Sequence, residues 1–166
     1  MSTQSTASPD LFLLENCEDF QDFSLQLLAQ VRRHVAILSN DLDENLFDNE
    51  KFVEVISHIA RSSRNVEIQI LIKDTKLIRE GGHKLVKLTQ RLSSKMAIRK
   101  LIVEPDDKKM GFMLCDNYGL LYKNDDAIYQ GFANFNAAVE VKNLRETFNY
   151  LWQYGETEPD IQRLHI

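Results

Sequence analysis

Residues 35–74 read VAILSNDLDENLFDNEKFVEVISHIARSSRNVEIQILIKD, and their pattern decides the fold class. Val35–Leu38 is a short apolar run with β-branched residues, closed by Ser39-Asn40-Asp41, and reads as a buried strand. Val66–Lys73 alternates and then turns uniformly apolar, a second strand, ending at Asp74. Between them, Phe52, Ile56, Ile59 and Ala60 recur at helical spacing and predict a helix over 49–63, with Asp48 as its cap. Two buried strands joined by an amphipathic helix make a parallel βαβ unit.

Outward from this unit the same logic extends. Phe20, Phe23, Leu27 and Val31 predict a helix over 19–33, with Arg32 and Arg33 in its last turn. After Gly81-Gly82, residues 83–94 are helical, with Leu85, Leu88 and Leu92 on one stripe and Lys84, Lys87 and Arg91 on another. Strands follow at 98–103, 110–115 and 120–123, with Asp116-Asn117-Tyr118-Gly119 as a hairpin turn between the last two. A further strand is expected at 128–131. A long helix over 137–154 shares Val141, Leu144, Phe148, Leu151 and Trp152 on one face. The expected class is α/β: a single mixed β-sheet flanked by helices on both faces. Residues 1–18 are expected to be a flexible tail, 19–155 the domain, and 156–166 a second tail. In such sheets ligands bind beyond the carboxyl ends of the parallel strands, which directs attention to Asp41 and Asp74.

The chain has 166 residues, 20 basic and 25 acidic, for a net charge of −5. The first 31 residues hold five acids and no base, whereas 61–109 hold 13 bases and six acids. A basic middle leaves room for a local anion site in an acidic protein. No apolar run approaches the roughly 20 residues of a membrane-spanning helix. Met1–Asp10 has no basic residue, so no secretory signal is expected. Cys17 and Cys115 form no disulfide framework and no metal knuckle, and two reduced thiols fit a cytoplasmic protein.

No glycine-rich phosphate loop, GxSxG elbow or HExxH motif is present. His83 opens the 83–94 helix beside Lys84, Lys87 and Arg91. It has two readings: part of an anion site or a general acid–base group, or a helix-start histidine bonded to backbone. Asp41, Asp43 and Glu44 cluster after the first strand but lack the glycine and terminal glutamate of a calcium loop, so no metal and no cofactor is expected.

The stretch Met110–Asp116 (MGFMLCD), the hairpin, Gly131-Phe132-Ala133-Asn134-Phe135-Asn136, Glu140 and a helix closing with Phe148 and Trp152 resemble the phospholipase D-like superfamily. There a strand carries His-x-Lys-x-x-x-x-Asp, followed by a Gly-Ser-x-Asn segment and a helix with a Phe…Trp pattern. With Asp116 as the motif aspartate, the histidine position is Lys109 and the lysine position Gly111, while the serine is Phe132. Asn134 and Glu140 match. The resemblance therefore implies a phospholipase D-like half with a degenerate active site, lacking the nucleophile that would form a phosphoenzyme. A narrower resemblance is to a bacterial domain family of unestablished activity that stands alone or follows GNAT-type acetyltransferases. It implies an accessory or binding role with an acetyltransferase-like protein as a partner, while the basic middle and the absent nucleophile point to a small anion as the other expected ligand. The half-site implies a homodimer. Nucleic acid is disfavoured by the net charge and by the lack of aromatics among the basic residues.

The expected ligand-binding residues are thus Asp41, Asp74, His83, Lys84, Lys87, Arg91, Lys109, Asp116, Asn134 and Glu140. An alternative is a phosphodiesterase using His83 with Asp43 or Asp74. Both depend on whether His83, Asp74, Lys109 and Asn134 converge on one pocket.

Overall fold

The computed structural model of the chain describes residues 9–79, 82–105 and 109–157. Its elements run β1 (Leu11–Leu14), α1 (Cys17–Leu28), β2 (His34–Ser39), α2 (Glu44–Phe47), α3 (Glu50–Ser62), β3 (Glu67–Ile72), α4 (Lys76–Arg79), α5 (Lys84–Arg91), β4 (Met96–Lys100), β5 (Gly111–Cys115), β6 (Gly119–Lys123), β7 (Gly131–Asn134) and α6 (Ala138–Gln153). The strands form one mixed seven-stranded sheet in the order β1-β7-β6-β5-β2-β3-β4. β2, β3 and β4 are parallel, and every other pairing is antiparallel. The α/β class with a single mixed sheet is as the sequence predicts.

Strand side chains alternate between faces, so each central strand feeds two cores. Val35 and Ile37 of β2 and Ile68, Ile70 and Ile72 of β3 pack with Phe20 and Leu27 of α1, Phe52 and Ile56 of α3, and Leu85 and Leu88 of α5. Ala36, Leu38, Leu71, Phe112 and Leu114 point the other way, onto Val141, Phe148 and Leu151 of α6. Burial on both faces is why β2 and β3 read as continuous apolar runs. Along β4, the same α6 face carries Arg99, whose guanidinium lies 4.3 Å from the Trp152 ring centroid and donates to the Trp152 carbonyl at 2.7 Å.

Several expected boundaries shift, each for a visible reason. The chain enters the sheet earlier than position 19. Leu11–Leu14 pairs antiparallel with β7, and Phe12 packs on Phe23 and Phe135 at centroid distances of 4.9 and 5.8 Å. Helix α1 ends at Leu28 rather than 33, because the Asp116 carboxylate draws the N–H groups of Arg32, Arg33 and His34 into an extended approach to β2. Arg32 and Arg33 are therefore loop residues. Asn49, not Asp48, caps α3, its Oδ1 accepting from the Lys51 and Phe52 N–H groups. β4 runs 96–100 instead of 98–103, and Ile102 is exposed. The expected strand at 128–131 lies instead at 131–134. There Gly131 fits so closely against the Tyr122 main chain that a Cβ would sit 2.9 Å from the Tyr122 carbonyl carbon. The closing segment 158–166 lies outside the described residues.

Candidate functional site

The carboxyl end of the parallel strands is lined with acids, as expected, but most of them serve the fold. Asp43 caps α2, its Oδ1 accepting from the Asn45 N–H at 3.3 Å. Asp74 accepts from the Lys76 N–H at 2.9 Å at the start of α4. Asp126, which the sequence does not single out, reaches over β5: its Oδ2 accepts from the Asn40 N–H at 2.7 Å and the Ser39 hydroxyl at 3.2 Å. Lys123 is only 5% exposed. Its Nζ lies 3.8 Å from Asp126 Oδ1, donates to the Asp126 carbonyl at 3.2 Å, and sits 4.3 Å from the Tyr129 ring centroid. Burial, then the charges of Asp126, Asp43 and Asp74, push the Asp41 carboxyl above its usual range. Among the described residues, no group of three or more His, Cys, Asp or Glu side chains is arranged to hold a metal ion.

Gly111 is the pivot of this end. A Cβ placed there would meet Asp126 Oδ1 and lie 2.6 Å from its Cγ. The absence of a side chain at 111 is what admits the Asp126 carboxylate. Lys109 is exposed at the mouth of β5, and its carbonyl accepts from the Asp126 N–H at 2.8 Å.

His83 is 8% exposed and caps α5. The Leu85 N–H donates to Nδ1 at 3.3 Å, so Nε2 carries the proton and donates to the Leu42 carbonyl at 3.1 Å. Leu42 has a positive φ of 56°, and His83 braces that turn. Burial, opposed by the Leu42 hydrogen bond, lowers the imidazole pKa. Both ring nitrogens are committed to backbone, which is the structural reading of this residue. The helix start does attract an anion, but an internal one: Asp48 Oδ1 accepts from the Lys84 N–H at 2.7 Å. Lys84, Lys87 and Arg91 line the exposed face of α5, with Lys84 Nζ 3.7 Å from Glu50.

Of the expected constellation, Asp74, Lys109 and His83 border the segment at the carboxyl end of β2, and Asn134 does not join them. Gly111 pairs with Lys123, and Lys123 with Gly131, at the carboxyl end of β2. Asn134 pairs with Leu120, three positions, or about 10 Å, further along the strands. Its Oδ1 accepts from the Asn136 N–H at 2.9 Å, shaping the turn into α6. Glu140 is exposed in the first turn of α6, where a carboxylate suits the helix dipole. Asp116 lies at the amino end of β2, at a positive φ of 51°. Its carboxylate accepts from the N–H groups of Arg32, Arg33 and His34 at 2.9, 2.9 and 3.0 Å.

That amino end holds a second polar group, on the α6 face. Arg145 of α6 donates to His34 Nδ1 through one terminal nitrogen and to the Asp116 carbonyl through the other. Since Arg145 is a donor only, His34 bears its proton on Nε2, which faces Gln69 Oε1 at 2.7 Å. Burial lowers the His34 pKa, with Arg145 acting in the same direction, and burial also lowers that of Arg145. These residues border a cleft of about 570 Å³ whose walls include Arg32, Arg33, Tyr118 and Asn149. The sequence signals were slight: a lone Gln within VEIQILIK, and Arg32-Arg33-His34 just before β2.

A family model described as "Domain of unknown function (DUF7931)" matches residues 16–164. No curated protein matches the sequence. Among solved structures, the fold is similar to that of TrmBL2, an archaeal chromatin protein that shows a novel mode of DNA binding. The TM-score is 0.66 at 16% identity, over 93% of this chain and 55% of that one, so this chain spans about half of TrmBL2. NucT from Helicobacter pylori gives a TM-score of 0.63 at 10% identity, over 89% of this chain and 97% of that one. Nuc from Salmonella typhimurium, a phospholipase D family member, gives 0.56 at 11% identity, over 81% and 87%. At these identities the likeness is one of fold.

Proposed function

Starting from the chain's membership in the DUF7931 family, whose function is unknown, we propose that it is a non-catalytic domain of phospholipase D-like fold that binds a partner instead of hydrolysing a substrate. The observation that carries this reading is the Asp126 carboxylate seated against Gly111. In the superfamily the chain resembles, that position carries a lysine that holds phosphate. Here a carboxylate stands beside it, braced by Ser39, Asn40 and Lys123. A phosphate group brought to this place would meet a negative charge. Lys109, in the nucleophile position, offers an amine in place of the imidazole on which the superfamily's phosphoenzyme forms.

The alternative, a hydrolase using His83 with Asp43 or Asp74, needs a ring nitrogen available to substrate, and both are bonded to backbone. The test is a phosphodiesterase assay on bis(p-nitrophenyl) phosphate. The expected result is no turnover above buffer, unaltered by Lys109→Ala or His83→Ala. Turnover abolished by either substitution would overturn the proposal.

The partner is proposed to be a small anion or an acetyltransferase-like protein, and the chain is proposed to act in the cytoplasm, where free Cys17 and Cys115 stay reduced. No helix among the described residues is long and apolar enough to cross a membrane. DNA binding is not carried over from TrmBL2, because a net charge of −5 works against a phosphate backbone. Self-association into a homodimer is a separate proposal, read by light scattering.

A further inference from the structure

We propose that the cleft between the Asp116–Tyr118 turn and α6 binds a small molecule through an oxyanion group, a phosphate or carboxylate, with Arg145 as the anchor and Arg32 and Arg33 as flanking cations. This deepens the binding reading above and rests on it, because it names what the domain would hold and where.

The Arg145 guanidinium is half-buried: burial works against its charge, and the Asp116 carboxylate favours it through space. Yet the groups it bonds do not balance that charge: one is a neutral imidazole nitrogen, the other a main-chain carbonyl. The Asp116 carboxylate spends its hydrogen bonds on three main-chain N–H groups. Among the described residues, no carboxylate oxygen hydrogen-bonds Arg145. A partly desolvated cation without a bonded counter-charge draws an anion.

Its orientation is fixed as well. His34 and the Asp116 carbonyl each hold one terminal nitrogen, and His34 is itself held by Gln69. Two of the five guanidinium N–H groups are taken by these bonds, and the other three share their plane, the geometry that suits an oxyanion. The cleft of about 570 Å³ is in the range of small-molecule sites. Arg32 and Arg33 form one wall, and their side chains are exposed. Glu67 is the remaining acid of the cleft, largely solvent-exposed at the rim and 3.8 Å from His34 Nε2. The site also lies at the amino end of β2, away from the Gly111–Asp126 contact, so it is separate from the strand end where the superfamily motif falls.

The experiment is an amide-resolved NMR titration of the full chain with inorganic phosphate in one arm and acetate in the other. The expected result is saturable shifts at residues 32–34, 116–118 and 145 with at least one anion, and the arm that saturates at lower concentration identifies the head group. The Arg32→Ala/Arg33→Ala double variant alters only exposed side chains. It is expected to keep its thermal midpoint and to bind about tenfold or more weakly. Arg145→Gln is expected to lose saturation, and Arg145→Lys not to restore it, because an ammonium lacks the fork. No saturation by either anion, or binding that both the double variant and Arg145→Gln leave unchanged, would overturn the proposal. The phosphodiesterase assay on the same samples separates the two readings: turnover would sink the non-catalytic reading, while the cleft stands or falls on the titration.

Discussion

At the carboxyl end of β2 the Asp126 carboxylate ties a distant loop to main-chain N–H and hydroxyl groups, and at the amino end the Asp116 carboxylate does the same for residues 32–34. The device is shared, but the cations beside it differ. Lys123 is buried against Asp126 itself and two aromatic rings, so its charge is answered inside the protein. Arg145 hydrogen-bonds only neutral acceptors, feels the Asp116 carboxylate through space, and borders a cleft. Polar residues at a strand end therefore do not by themselves mark a site. What marks one is a charge without a hydrogen-bonded counter-ion next to space.

The largest effect that would break this comparison is at Asp116. Asp116→Ala removes the acceptor for three N–H groups and is expected to cost about 3 kcal/mol, read by urea unfolding. A loss near zero would mean that water replaces the carboxylate and that the amino end is not pre-organised. Gly111→Ala is next, at about 2 kcal/mol, because the new Cβ must displace Asp126 from Ser39 and Asn40. If it is neutral, the plug at the carboxyl end is mobile and the two ends are alike in being open to a ligand.

His83→Ala is expected to cost about 1 kcal/mol as a lost cap. It should also flatten the acid limb of stability. The folded-state pKa values of His83 and His34 lie below 6.5, so the unfolded chain binds protons more readily. Their contribution is present above pH 6.5 and is lost as pH falls from there through the folded-state values. An unchanged acid limb in His83→Ala would assign that limb to other groups. Smallest is Asp41→Asn. The raised Asp41 pKa means that its charge is disfavoured in the folded state, so at neutral pH the amide should stabilise by less than about 1 kcal/mol. The gain should vanish as pH falls through the raised value and Asp41 takes up its proton. Destabilisation instead would show that the carboxylate makes a favourable contact.

The central sheet was legible because its signals are local. β2 and β3 are buried on both faces, so each is a continuous apolar run, and α3 and α5 show their stripes within a dozen residues. The hairpin at 116–119 was equally plain. β1 was not: Leu11–Leu14 is an edge strand with Leu13 77% exposed, and it exists through β7 and through Phe12 on Phe23 and Phe135. The same limit hid the sites. His83 looked available because a sequence does not show that Leu42, 41 positions away, accepts its Nε2 proton. Lys84 looked like an anion contact because Asp48, 36 positions away, is not visible at its N–H.

By itself the sequence determined the class of fold and the parallel core of the sheet. These follow from residue identity and short-range periodicity. Only the tertiary structure decided which charges are answered. Asp126 closes over Gly111 across 15 positions of chain folded back as a hairpin and loop. Arg145 meets His34 across 111 positions. Whether a buried charge has a partner is set by these long-range contacts, and the open cleft beside Arg145 arises only when they form.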